Sequence, residues 1–308
     1  MKQLFLLICY LLLSSQCSKG TIGSQSSRLI NPKGYKSDYF VFIADDRAAP
    51  LVIPIDVNWI PHANGYTVEL KSWYGTSQDW PIEYVQGSIV SHPSEIPEES
   101  FEHIDREPFY FDGDERSITT RIKGAPQVTI AVPNEAHWIN NGYGEDFPTY
   151  AFRSTIQVDG GTRSGWMIYE RIRSEDFADF PGFEAFYWMP IVIDHQLYQF
   201  IDHRGEQTAV RWTERDGIVH VDALEQFGFK VVETVSDDKS GRQQIPQQVS
   251  IRVPEWDIDL IMRSSGSQVG YGDSFPKGLA YFRQSLIVTA QDSKSVGCGM
   301  MELILANN

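Results

Sequence analysis

One short run carries the densest chemistry in the chain: SGWMIYERIR, residues 164–173. In an extended strand alternate side chains share a face, so Met167, Tyr169 and Arg171 point one way and Trp166, Ile168 and Glu170 the other. A tyrosine beside an arginine suits proton removal next to a carboxylate. The guanidinium holds and neutralises the acid group while the phenol passes the proton. Elimination of water from a uronic acid needs that pair plus a donor for the departing hydroxyl, and Tyr198 or His195, two segments on, has the right side chain. The spacing leaves the inner face open. Tyr169 and Arg171 form either a reactive pair or the solvated side of an ordinary strand, and Glu170 is functional inside and a surface charge outside.

Other chemistries lose ground. In IDHQLYQFIDH, His195 and His203 stand eight residues apart, which on an extended strand is roughly 26 Å at about 3.3 Å per residue. They read as turn residues, and no His-x-His or His-Glu-x-x-His spacing occurs, so neither metal nor cofactor is expected. FYFDGDER, residues 109–116, reads as an Asp-Gly hairpin turn rather than a calcium loop. There is no Gly-x-Ser-x-Gly elbow, phosphate loop or dinucleotide fingerprint. The net charge of −15 disfavours a nucleic-acid backbone or an anionic membrane surface, so an anionic ligand would be met by individual arginines.

The elements that must position these residues are short runs rich in Val, Ile, Phe, Tyr and Thr, broken by Gly, Pro, Asn and Asp. QVTIAVP, TYAFRSTIQVDGG, FYWMPIVID, QVSIRVPEW and AYFRQSLIVTA are examples, and no long stretch holds a 3.6-residue apolar period apart from the first residues. This predicts a mainly β, antiparallel protein. GYGEDFPTYAFRSTIQV (142–158) is echoed by GYGDSFPKGLAYFRQSLIV (270–288), each copy preceded by a strand ending in Val-Pro. The echo predicts two tandem β domains, 30–172 and 173–308, each a closed or strongly curved antiparallel sheet. It also makes Arg153 and Arg283 matched residues framing a site, with the ligand in a barrel mouth or between the domains.

The opening MKQLFLLICYLLLSSQCSKG reads as a signal peptide over residues 1–17. Cleavage falls after Cys17, or before it with Cys17 carrying a lipid anchor, although Gln16 is bulky where a lipobox has a small residue. The mature protein is expected to be periplasmic, secreted or anchored at the outer membrane, without a membrane span. Beyond Cys17 the one remaining cysteine is Cys298, so no internal disulfide framework is expected. Eight Trp and 14 Tyr supply core and, where they line a cleft, platforms for a sugar ring or an apolar chain.

The run at 164–173 resembles the Trp-Met-Asp-His/Arg-Glu-Trp strand of the hydroxyneurosporene synthase (carotenoid hydratase-like) family, through Trp166, Met167 and Glu170. Trp188 and Asp194 in FYWMPIVID resemble its Trp-Phe-x-x-x-Leu-Asp segment, and Tyr281 and Glu302 its closing strands. The resemblance implies two tandem lipocalin-like domains and water addition or removal in a cavity. Ile168, Tyr169 and Arg171 depart from the pattern at its Asp, His/Arg and second Trp, and Arg283 stands where a glutamate is usual. These departures remove the obvious acid for protonating an alkene and add fixed cations.

The expected function is therefore an exported hydro-lyase dehydrating a uronic-acid-terminated oligosaccharide between two β domains. Tyr169, Glu170, His195 and Tyr198 are its catalytic candidates. Arg171, Trp166, Trp188, Arg153, Arg283 and Tyr281 are its substrate-binding candidates. The alternatives are a non-catalytic carrier of a lipophilic ligand and an isoprenoid hydratase, the latter requiring an inward acid near Ile168.

Overall fold

The computed structural model describes residues 35–46, 49–62, 65–76, 82–91, 105–106, 109–112, 117–120, 127–131, 137–139, 149–158, 160–174, 186–237, 242–264, 269–270, 279–290 and 295–306. Cys17, the leader and the two Gly-Tyr-Gly turns lie outside them, apart from Gly270. Twenty-one strands form two antiparallel sheets, with one 3₁₀ turn at Pro254–Trp256 and no α-helix among the described residues.

The first sheet comprises β1 (Tyr35–Ala44), β2 (Leu51–His62), β3 (Gly65–Thr76), β4 (Ile82–Ser91), β5 (Asp105–Arg106), β6 (Phe109–Asp112), β7 (Ser117–Thr120), β8 (Val128–Ala131), β9 (His137–Ile139), β10 (Thr149–Val158) and β11 (Gly161–Ser174). Its strand order is β4-β3-β2-β1-β11-β10-β8-β7-β6-β5, with β9 paired to β10. The second holds β12 (Phe186–Ile193), β13 (Gln196–His203), β14 (Glu206–Arg215), β15 (Ile218–Leu224), β16 (Gly228–Asp237), β17 (Arg242–Val253), β18 (Ile258–Ser264), β19 (Val269–Gly270), β20 (Leu279–Ala290) and β21 (Ser295–Ala306). Its order is β15-β14-β13-β12-β21-β20-β18-β17-β16, with β19 on β20. Each sheet curls into a half-barrel, the two curved antiparallel sheets expected from the residue pattern and the tandem lipocalin-like architecture that the resemblance implies.

Overlaying the two orders sets β1 on β12, β11 on β21, β10 on β20 and β8 on β18. The echoed TYAFRSTIQV and AYFRQSLIV segments thus occupy equivalent strands. The Val-Pro echo does not. The VTIA of VTIAVP is β8 and neighbours β10, whereas the VSIRV of VSIRVP ends β17 and is separated from β20 by β18. A second short aliphatic run, IDLIM, intervenes and holds the equivalent place.

Alternation builds a core in each half. Phe40, Phe42, Ile53, Ile55, Ile118, Ile130, Phe152, Met167 and Tyr169 fill the first. Met189, Ile191, Phe200, Ile245, Val249, Ile251, Met262, Phe282 and Met301 are among those filling the second. Each large apolar side chain so buried contributes about 1.5–3 kcal/mol. The hairpin turns are tight. Asp194 and His195 both take positive φ between β12 and β13, and Arg204 and Gly205 do so between β13 and β14. The first Ile-Asp-His repeat therefore runs from the end of β12 into the β12–β13 turn, whereas the second closes β13 itself, with His203 paired to Phe186 and Glu206 rather than in the turn.

Candidate active site

A half-barrel that curls around its own core leaves an outer face, and on a free domain that face is wet. Here part of it is dry. On β1 the inward Phe40 and Phe42 alternate with outward Tyr39, Val41 and Ile43, and the outward three are 3% exposed or less. On β12 all eight residues are buried, and Trp188 and Phe186 point away from the second core. The outer face of β1 and β2 packs against β12 and β21, forming a seam between the half-barrels.

Carboxyl-bearing and carboxyl-binding side chains meet in that seam. Tyr39 donates its hydroxyl to Glu302 Oε1 at 2.5 Å, across 263 residues of sequence. Arg283 reaches the same oxygen with Nε at 2.7 Å and Nη2 at 2.5 Å, and its guanidinium lies 5.5 Å from the Tyr39 ring centroid. Glu170 stands directly opposite Tyr39 in the β1–β11 ladder and opposite Thr149 in the β10–β11 ladder. Thr149 donates its hydroxyl to Glu170 Oε1 at 3.3 Å, and Gln199 Nε2 from the second half-barrel reaches that oxygen at 3.5 Å. Trp188 is opposite Glu302, with its ring 5.9 Å from that of Tyr39. Asp56, opposite Tyr39 on β2, adds a third fully buried carboxyl to this face.

Electrostatics separate the two glutamates. Burial, with the nearby Glu302 charge as the second cause, pushes the Glu170 carboxyl well above the usual range, against a smaller opposing pull from Thr149 and Gln199. Glu302 has Arg283 as its counter-ion. A neutral carboxyl and an ion-paired carboxylate so arranged can donate and accept a proton on one bound molecule.

Of the sequence-predicted residues, Glu170, Trp166, Trp188 and Arg283 lie on the seam. Arg283 is fully buried, whereas its echo Arg153 is at the rim, paired with Asp45, 3.4 Å from Glu214 and over the Trp166 ring at 5.3 Å. Tyr169 points into the first core, where its hydroxyl donates to Asp38 Oδ1 at 2.7 Å and its ring stacks on Phe40 and Tyr150. Arg171 pairs with Asp38 in the ladder; its side chain and that of Tyr281 lie outside the described residues. Tyr198 is in the second core, donating to Gln196 at 2.9 Å, and burial raises its phenol. His195 sits in the exposed β12–β13 turn, its carbonyl accepting from Trp166 Nε1 at 2.7 Å and its imidazole 3.4 Å from Asp45. The structure thus brings together neither Tyr169 with Tyr198 nor Tyr169 with His195.

A phenol, a guanidinium and a second carboxyl are thus present together in the seam, supplied by Tyr39, Arg283 and Glu170, with the first two engaged by Glu302. Sequence reasoning missed Tyr39, Gln199 and Thr149. An open cleft of about 320 Å³ marks the rim, lined by Asp45, Asp46, Thr162, Arg163 and Ser164 of the first half and His195 of the second. No group of three or more metal-ligating side chains occurs among the described residues, and no described helix is long and apolar enough to cross a membrane.

No protein-family model and no curated protein sequence matches the chain. Among solved structures it is similar to an AttH-type protein from Nitrosomonas europaea, with TM-score 0.57, 11% identity, and coverage of 93% of this chain and 98% of that one. Kievitone hydratase from Nectria haematococca aligns at TM-score 0.48 and 10% identity over 90% of each chain. CghA, in complex with Sch210972, aligns at TM-score 0.45 and 11% identity over 94% of this chain and 95% of that one. The first of these establishes a shared fold across nearly the whole chain.

Proposed function

We propose that the protein is an exported hydro-lyase working in the seam between its half-barrels, with Glu170 as the acid and Glu302 as the base. One observation carries this reading: a fully buried carboxyl raised far from its ordinary range, across the seam from a carboxylate held by Arg283 and Tyr39. In the dehydration direction Glu302 takes the C–H proton, its electron pair becomes the new double bond, and Glu170 protonates the departing hydroxyl. Both carboxyls are about fully buried, so the half-barrels must part at the rim to admit a substrate.

The substrate we propose is an oligosaccharide ending in a uronic acid, whose carboxylate acidifies the adjacent C–H and whose hydroxyl leaves as water. The rim cleft, with its hydroxyls, carboxylates, guanidinium and imidazole, suits a polyol. The test is ultraviolet absorbance over a panel of uronate-terminated oligosaccharides, since dehydration creates a conjugated unsaturated acid. Glu170→Gln is expected to lower turnover by roughly 10²–10⁴-fold. Full turnover in Glu170→Gln would overturn the assignment.

One observation favours a second reading, hydration of an isoprenoid double bond. That chemistry needs an acid near Ile168, and Glu170 shares the buried outward face of β11 with Ile168, beside apolar Trp166, Val41 and Ile43. Turnover of an isoprenoid alkene with a flat response to every uronate would select this reading.

A further inference from the structure

Four polar atoms of the seam, Glu170 Oε2, Glu302 Oε2, Gln199 Oε1 and Trp188 Nε1, are buried and meet no hydrogen-bond partner among the described residues. Native proteins rarely bury polar atoms unpaired, and a cluster of them marks a place where something else binds. The contacts above tie the four together. Gln199 touches Glu170, Tyr39 stands opposite Glu170 and donates to Glu302, and Trp188 stands opposite Glu302.

The two carboxyls share one further feature. Thr149 and Gln199 both address Glu170 at Oε1, and Tyr39 and Arg283 both address Glu302 at Oε1. In each case Oε2 is left for another partner. With Glu170 protonated, the set offers two donors, the Glu170 O–H and the Trp188 N–H, and two acceptors, the Gln199 carbonyl and the Glu302 carboxylate. A water molecule donates twice and accepts twice, and buried waters bind where two to four polar partners converge. We infer that these four atoms form a subsite for one water molecule or one substrate hydroxyl.

The catalytic use of the subsite rests on the hydro-lyase reading; its occupancy does not. In dehydration the C–O bond breaks as the Glu170 proton moves to the departing oxygen, and the resulting water remains on Trp188 and Gln199. Glu302 has meanwhile gained the substrate proton. Transfer of one proton from Glu302 to Glu170 through that water restores both groups, so the cycle releases one water and consumes nothing else. In hydration the same water is the nucleophile, and the steps run in reverse.

The test is a crystal structure of the wild-type protein, at a resolution that places ordered water, beside one of Trp188→Phe. The expected result is one ordered water within hydrogen-bond distance of at least three of the four atoms, lost or shifted in Trp188→Phe. A dry seam, or the four atoms closed on other protein groups, would overturn the inference, and the wild-type structure decides this even if the variant fails to fold. The two readings fail separately. A bound water with no turnover on uronates or alkenes removes the hydro-lyase and leaves the subsite, whereas turnover with a dry seam removes the subsite alone.

Discussion

Glu170 ties the chemistry of the seam to the stability of the fold. Its folded value lies well above the ordinary carboxylate value of 4.5, chiefly from burial and then from Glu302. The folded protein therefore binds more protons than the unfolded chain between those two values, and stability falls as pH rises through that window. Below about 4.5 this group's contribution is fully present; above its folded value it is lost. Glu170→Gln keeps the shape without the titration. Its urea midpoint is expected to gain on wild type as pH rises above about 4.5, and parallel midpoints for the two proteins would show that folding does not raise the Glu170 carboxyl. Part of this was legible in the residues: the alternation at 164–173 put Glu170 on one face and Tyr169 on the other. What could not be read was which face was covered, because Tyr39 reaches Glu302 across 263 residues and no local pattern encodes that contact.

At the scale of the strand, β11 is a partition. Its inward side serves one core and its outward side serves the seam, so Tyr169 and Glu170, neighbours in one run of sequence, belong to two environments. Gly165 shows how tightly the partition is drawn. A Cβ there would lie 2.2 Å from the Ile43 carbonyl oxygen and 2.9 Å from the Ala44 Cα, and at Gly299, on the equivalent β21, 2.3 Å from the Pro190 carbonyl oxygen. Only glycine admits such backbone approach in both halves. Gly165→Ala is expected to cost about 1–3 kcal/mol in denaturant unfolding, against little for Gly161→Ala, whose added methyl meets nothing nearer than 3.6 Å. Equal midpoints for the two variants would contradict the close approach. The strand inventory was readable from β-branched and aromatic runs between turn residues. The equivalence of β8 with β18 was not, because a Val-Pro ending records where a strand stops and says nothing about its neighbour.

For the whole molecule, the seam is both a junction and the proposed place of work. Cys298 reports on it directly: its thiol lies 3.5 Å from the Ala44 carbonyl of the other half-barrel, and burial pushes it up to about 12. Thiol reagents are expected to leave Cys298 untouched in the closed protein and to label it at the rate at which the half-barrels part. Ligand bound in the seam would change that rate, and immediate full labelling of the folded protein would show that the seam is not closed.

Both walls of the seam belong to one chain, joined through residues 175–185. Two separate proteins holding so polar an interface would need high affinity to stay together. Tethered walls instead meet at an effective concentration on the order of millimolar. A weak junction therefore suffices: it can open for each substrate and reclose without a search for its partner, and a substitution that loosens it would quicken exchange before it cost assembly.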